Sequence, residues 1–143
     1  MLRPLLITAL TTALTAALTL VASAASGNNA GNTAQGKIES AQRGEQIYAR
    51  CLACHALAYD RVGPHHCGLI GRRAGSVAGF AYSAAMKKSG ITWNEASLNR
   101  FLTKPLKMVP GSSMTYDGIP DAKERTDLIT YLKQAGQSAE CKK

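Results

Sequence analysis

The stretch Cys51-Leu52-Ala53-Cys54-His55 decides how the rest of this chain is read. On a helical turn the two cysteines project to one side, and His55, four positions beyond Cys51, falls on that side too. Two thiols and an imidazole so arranged suit four chemistries. A redox disulfide usually opens a helix after a strand, and no strand pattern precedes Cys51. Half of a zinc site would need completion by His65, His66 or Cys67. An ordinary structural disulfide is the third choice. In the fourth, the two sulfurs bond to neighbouring vinyl groups of a porphyrin and the histidine is delivered beneath its iron. The Cys-x-x-Cys-His spacing is the signature of that last arrangement and favours it.

An iron held by one histidine has a sixth position, open or filled. Met86, Met108, Met114, His65 and His66 are the residues that could fill it. Met86 reads as core filler, the ordinary use of a methionine. Met114 follows Pro110-Gly111-Ser112-Ser113 in a polar, irregular loop and belongs to no helical stripe. His65 and His66 lie only ten and eleven residues past His55, a hard reach to the opposite side of a macrocycle, and are expected as loop or surface residues.

Upstream, Arg3, an apolar run from Leu5 to Val21 and the small residues Ala22-Ser23-Ala24 read as a cleavable secretory signal over residues 1–24. The alternative is an uncleaved membrane anchor, because the run approaches spanning length. Five threonines dilute it, however, and no basic cluster follows. Residues 25–37 have no hydrophobic period and are expected to be a flexible arm. Residues 38–143 then form one domain.

Three main helices are expected there, and no sheet. The first runs from about Ser40 to Leu52, with Ala41, Gly44, Ile47, Tyr48 and Cys51 on one face. Gly44 lowers helix propensity, and a close helix crossing is the best reason for it. A short helix is expected over Tyr82–Ser89, stopped by Gly90. The next spans Thr92 to Leu102, with Asn94 as N-cap, Leu98, Phe101 and Leu102 as its buried stripe and Pro105 just past its end. Leu106 to Gly118 reads as irregular. The last helix starts near Pro120-Asp121, buries Leu128, Ile129, Tyr131 and Leu132, and stops at Gly136. Between them, Ala56 to Tyr82 is a glycine-rich stretch too long for a small domain unless it wraps something. Aromatic content is only 6%, with one Trp, so a large apolar cofactor would relieve a thin core.

The formal net charge is +8, or +7 without Arg3. A basic surface favours acidic partners. Nucleic acid is the first suspect for such a chain, but export and the lack of a nucleic-acid motif argue against it. Lys87, Lys88, Lys104, Lys107 and Lys123 are candidate contributors to docking.

The chain resembles class I c-type cytochromes, of the bacterial cytochrome c2 and mitochondrial kind, over about Ile38 to Ala135. The resemblance rests on motifs in order. They are Gly44 and Tyr48; the Cys51–His55 motif; Val62-Gly63-Pro64; Gly68 to Arg72; Gly79 to Ser83; Gly90 to Trp93; Pro110 to Met114; and Asp127 to Leu132. It implies an all-α cytochrome c fold, with three main helices, short helices and glycine-rich loops around one covalent haem c. Cys51 and Cys54 would carry the thioether links, and His55 and Met114 would be the axial iron ligands. The Pro64 carbonyl would accept a hydrogen bond from His55. Arg72, Tyr82 and Trp93 would hold the haem propionates. Gly44 and Tyr48 would cross the last helix near Leu128 and Tyr131. The chain departs from the family at Cys67, often His, at Phe101, often Tyr, and at Met86, often Asn.

Cys67 and Cys141 lie outside the haem motif. In a chain read as exported they are expected to form a disulfide tying the loop to the C-terminus. With His and Met closing the iron, the implied function is shuttling one electron, with no catalysis. A haem peroxidase or gas-binding protein with a displaceable Met ligand is the alternative. The expected setting is the periplasm. The expected partners of this monomer are membrane redox complexes with acidic docking patches: a cytochrome bc1-type reductase, a cytochrome oxidase or a photosynthetic reaction centre.

Overall fold

The computed structural model describes residues 29–142, so the expected signal segment 1–24 and the first residues of the arm lie outside it. Five helices follow one another: α1 Asn29–Tyr48, α2 Ala84–Lys88, α3 Glu95–Thr103, α4 Pro105–Met108 and α5 Ala122–Ala135. Single 3₁₀ turns follow α1 and α5, at Ala49–Cys51 and Ala139–Lys142. The described residues contain no strand, only an isolated antiparallel bridge between Arg73 and Thr92.

The main helix contact is α1 against α5. Ala41, Gly44, Ile47 and Tyr48 are buried on α1, on the face their spacing predicts. On α5 the buried set is Arg125, Asp127, Leu128, Ile129, Leu132 and Ala135. The crossing is as close as Gly44 suggests. A Cβ at position 44 would overlap the Asp127 carbonyl and lie 2.7 Å from Cβ of Tyr131. Polar groups then lock the register. Asp127, with its side chain only 6% exposed, accepts from Ser40 (2.6 Å), from Arg43 Nε (2.8 Å) and from Lys123 (2.8 Å). The Arg43 guanidinium, helped by Lys123 and Ser40, holds the Asp127 carboxyl well below the usual carboxylate range, against the upward push of burial.

α3 packs on α5 and is capped by Asn94 as expected, though it begins at Glu95 and not at Thr92. Asn94 and Ser97 cap each other in a reciprocal box, and Leu98, Phe101 and Leu102 face inward. Arg125 of α5 is buried between them, donating from Nε to Asn99 (2.7 Å) and from a terminal nitrogen to the carbonyls of Ile119 and Pro120 (2.8 Å each).

Three expectations need correction. Residues 29–37, expected in the arm, are helical, so α1 begins eleven residues before Ser40. Once Ala41–Tyr48 is fixed against α5, each residue added upstream gains a backbone bond without a new nucleation cost. Gln35 also bonds Glu39 one turn on (3.1 Å). Second, Pro105 is the first residue of α4 and not merely a stop, because a missing N–H costs nothing there. Third, α2 is shorter than Tyr82–Ser89, since Ser83 caps it by accepting from Met86 N–H at 3.2 Å. Gly136 stops α5 after Ala135 as expected, although its φ of −61° is an ordinary helical value.

Candidate functional site

The loops from His55 to Tyr82 and from Ser112 to Tyr116 close over the inner faces of α3 and α5, leaving a cavity of about 400 Å³. Leu69, Leu98, Phe101, Leu102, Leu128 and Leu132 line it as apolar walls. The long glycine-rich stretch therefore does wrap a central space.

α1 ends in the 3₁₀ turn that carries Cys51, and the backbone N–H groups of Cys54 and His55 both donate to the Cys51 carbonyl (3.0 and 2.8 Å). That turn sets both thiols and the imidazole on the cavity wall. The thiols are free. Burial pushes the Cys51 thiol up to about 11, the opposite of what a reactive redox cysteine or a metal-bound thiolate needs. The zinc alternative also loses two of its three completing ligands, and no group of three His, Cys, Asp or Glu among the described residues is arranged to hold a metal. Cys67 is joined to Cys141, with Cα atoms 5.2 Å apart, and His65 is turned to Asp60 (Nδ1 to Oδ1 2.7 Å).

His55 is buried, and its Nδ1 donates to the Pro64 carbonyl at 2.7 Å, which leaves Nε2 as the available ring nitrogen. Burial lowers its proton affinity, with the Pro64 bond acting in the opposite direction. A neutral imidazole with a free Nε2 is what a metal requires of histidine. Gly63 backs the ring so closely that a Cβ there would lie 2.7 Å from both ring nitrogens.

Met114 lines the same cavity, half-buried, with its N–H bonded to the Ser112 hydroxyl (3.2 Å). Met86 is buried and belongs to the core, as its reading predicts, but it reaches the cavity as well. Met108 packs on the core away from the cavity wall. Arg72, Tyr82 and Trp93 all reach the cavity. The terminal nitrogens of Arg72 also donate to the carbonyls of Cys67 (2.8 Å) and His65 (2.7 Å), so it braces the loop as well. Partial burial pulls its guanidinium below its usual range and raises the Tyr82 hydroxyl.

His65 and His66 are both loop residues, as expected, but His66 also lines the cavity, stacked on His55 with centroids 4.3 Å apart and planes 20° from parallel. Its Nδ1 shares a hydrogen bond with the Tyr48 hydroxyl (3.1 Å). Burial pushes His66 down to about 3, so it is neutral in ordinary conditions. No periodicity announces this, because the position is set by the loop's return past Pro64. The role of Gly63 was equally hidden.

Lys123 is exposed as well, but it pairs with Asp127 across one turn of α5, which offsets part of its charge. Lys87, Lys88, Lys104 and Lys107 are exposed and make no ion pair among the described residues. The first two sit on α2, whose Lys87 backbone touches the cavity-lining Gly75.

Two thiols, a tethered imidazole and a thioether around one apolar space fit a covalently held haem. Comparison with known proteins agrees. A family model for cytochrome c matches residues 41–136. The chain is 41% identical over 104 residues to cytochrome c2 of Blastochloris viridis, covering 71% of this chain and 82% of that protein. It is 50% identical over 95 residues to cytochrome c of Tetrahymena pyriformis, covering 65% and 86%. The solved structure of cytochrome cH from Methylobacterium extorquens superposes with a TM-score of 0.64 at 45% identity, over 66% of this chain and 97% of that one.

Proposed function

Because the chain belongs to the cytochrome c family, and so carries covalently bound haem c with its iron, we propose that it is an exported carrier of single electrons. The haem supplies an iron that changes its charge by one. The residues around it hold, orient and insulate. Cys51 and Cys54 would carry the thioether links. His55, held in its tautomer by Pro64, would supply Nε2 to the iron. Met114 would supply its thioether, a neutral sulfur that favours the reduced iron and raises the potential. Arg72, Tyr82 and Trp93 would hold the propionates. The leucine walls keep water out, so little has to rearrange when the charge changes.

A single observation carries the reading: Cys51, Cys54, His55 and Met114 all line one apolar cavity. The peroxidase or gas-binding alternative has no observation of that kind in its favour. The setting is the periplasm, after removal of residues 1–24. No helix among the described residues is long and apolar enough to cross a membrane. The partners are membrane redox complexes with acidic docking patches, met briefly by a monomer through Lys87, Lys88, Lys104 and Lys107.

Mass and visible spectra of the exported protein test the reading. One haem's added mass, sharp bands on reduction and a sulfur-to-iron band at long wavelength on oxidation are expected. Electron exchange with isolated membranes should then slow as salt rises. A colourless product of unmodified mass ends the proposal.

A further inference from the structure

The Pro64 bond leaves one freedom of His55 unaccounted for. A ring held by a single hydrogen bond at Nδ1 can still tilt and turn about that contact. The surface that opposes such turning is the flat ring of His66, stacked on His55 at 4.3 Å. His66 is itself fixed from two directions. Its N–H donates to the carbonyls of Ala56 and Leu57 (3.1 Å each), and its Nδ1 is tied to the Tyr48 hydroxyl. Tyr48 is buried near the end of α1, against Tyr131 of α5 with ring centroids 5.2 Å apart. A chain of contacts therefore runs from the α1–α5 crossing through Tyr48 and His66 to the imidazole of His55.

We infer that His66, anchored by Tyr48, is a positioning residue that sets the plane of the His55 ring relative to the haem. The inference rests on the haem-carrier reading and goes beyond it by assigning a role to a histidine and a tyrosine that touch no iron. An aliphatic side chain at position 66 could fill the same volume but would present no flat face and no hydrogen bond. The choice of ring plane would then pass to Gly63 and Pro64 alone. The plane of an axial imidazole governs how spin density spreads over the macrocycle, and it is readable in the oxidised protein.

The test uses the haem-loaded protein and two variants, Tyr48→Phe, which removes only the hydroxyl, and His66→Leu. The readout is the set of paramagnetically shifted haem-methyl proton resonances. The long-wavelength sulfur-to-iron band serves as a control that Met114 still binds. Both variants should shift the methyl pattern in the same sense, His66→Leu further, with the band retained. The double variant should shift no further than His66→Leu alone, since Tyr48 acts through His66. Methyl patterns matching the parent in Tyr48→Phe and in whatever His66→Leu protein folds would overturn the inference while leaving the carrier reading intact. A parent with no haem would remove both.

Discussion

Gly44 of α1 and Asp127 of α5 meet backbone to backbone: the space a Cβ at position 44 would need is already filled by the Asp127 carbonyl. A main-chain carbonyl cannot swing aside as a side-chain tip can. Gly44→Ala, though it favours the helix locally, must push α1 and α5 apart. A loss of about 2–3 kcal/mol is expected, at the upper end of overpacking costs. Urea denaturation followed by helix circular dichroism measures it. An unchanged midpoint would mean the crossing is looser than described.

Asp127 gives the fold a pH dependence whose sign can be worked out. Its carboxyl is depressed in the folded state by Arg43, Lys123 and Ser40. Its stabilisation is therefore complete above the unfolded value of about 4, and is lost as pH falls from there through the lower folded value. Asp127→Asn should cost about 1–3 kcal/mol at pH 7. The gap between the two proteins should narrow below pH about 4. Arg43 and Lys123 are partly exposed, so high salt should trim the effect without abolishing it.

Gly63→Ala places a methyl group against the His55 ring. The imidazole must move, because the facing atoms form a rigid ring braced by Pro64 and His66. The expected outcome is a lower yield of haem-loaded protein and displaced visible bands, compared with Gly68→Ala as a control. Gly68 has open space beside it, though its φ of +67° makes a side chain strained there too. Visible bands in Gly63→Ala that match those of the parent would contradict the account of the ring's confinement.

Met114 and Met86 both reach the cavity, and substitution separates them. Met114→Leu should abolish the long-wavelength sulfur-to-iron band and open the iron to added ligands. The midpoint potential should fall by on the order of 0.1 V, within the ~0.8 V range that axial ligands command. Met86→Leu should keep the band and lose at most about 1.5 kcal/mol of stability, as volume-conserving core changes do. The reverse pattern would assign the thioether ligand to α2.

The Cys67–Cys141 bond closes a loop across 74 positions. Chain entropy sets its stabilisation at about 4–5 kcal/mol, less any strain. The paired replacement Cys67→Ser and Cys141→Ser should lower the denaturation midpoint accordingly and leave the visible spectrum of the folded protein unchanged. A change in spectrum would tie the C-terminal turn to the environment of His55 through its neighbour His66.

Much of the fold was legible because local patterns and packing agree. The stripe Leu128, Ile129, Leu132 and the Asn94 cap are where periodicity and capping chemistry put them. The Cys51–His55 spacing identified the cavity's defining wall, since that chemistry needs no long-range knowledge. What escaped depends on partners distant in sequence. Residues 29–37 are helical because the helix beyond them is packed, not because they carry an apolar face. That His66 lines the cavity escaped because nothing in its neighbours reveals that Tyr48, eighteen positions back, bonds to it. Arg125 gave no sign of its bond to Asn99, 26 positions back, for the same reason.

The size of the central cavity bears on the order of events in the making of this protein. At roughly 24 cal/mol per Å³ of dry, enclosed volume, about 400 Å³ puts an upper bound of about 10 kcal/mol on the cost of an empty interior, near the whole stability of an ordinary domain. A polypeptide still waiting for its prosthetic group has no compact form worth reaching. Thioether formation and the collapse of the loops are then one maturation event, and resistance to proteases should arrive with the red colour.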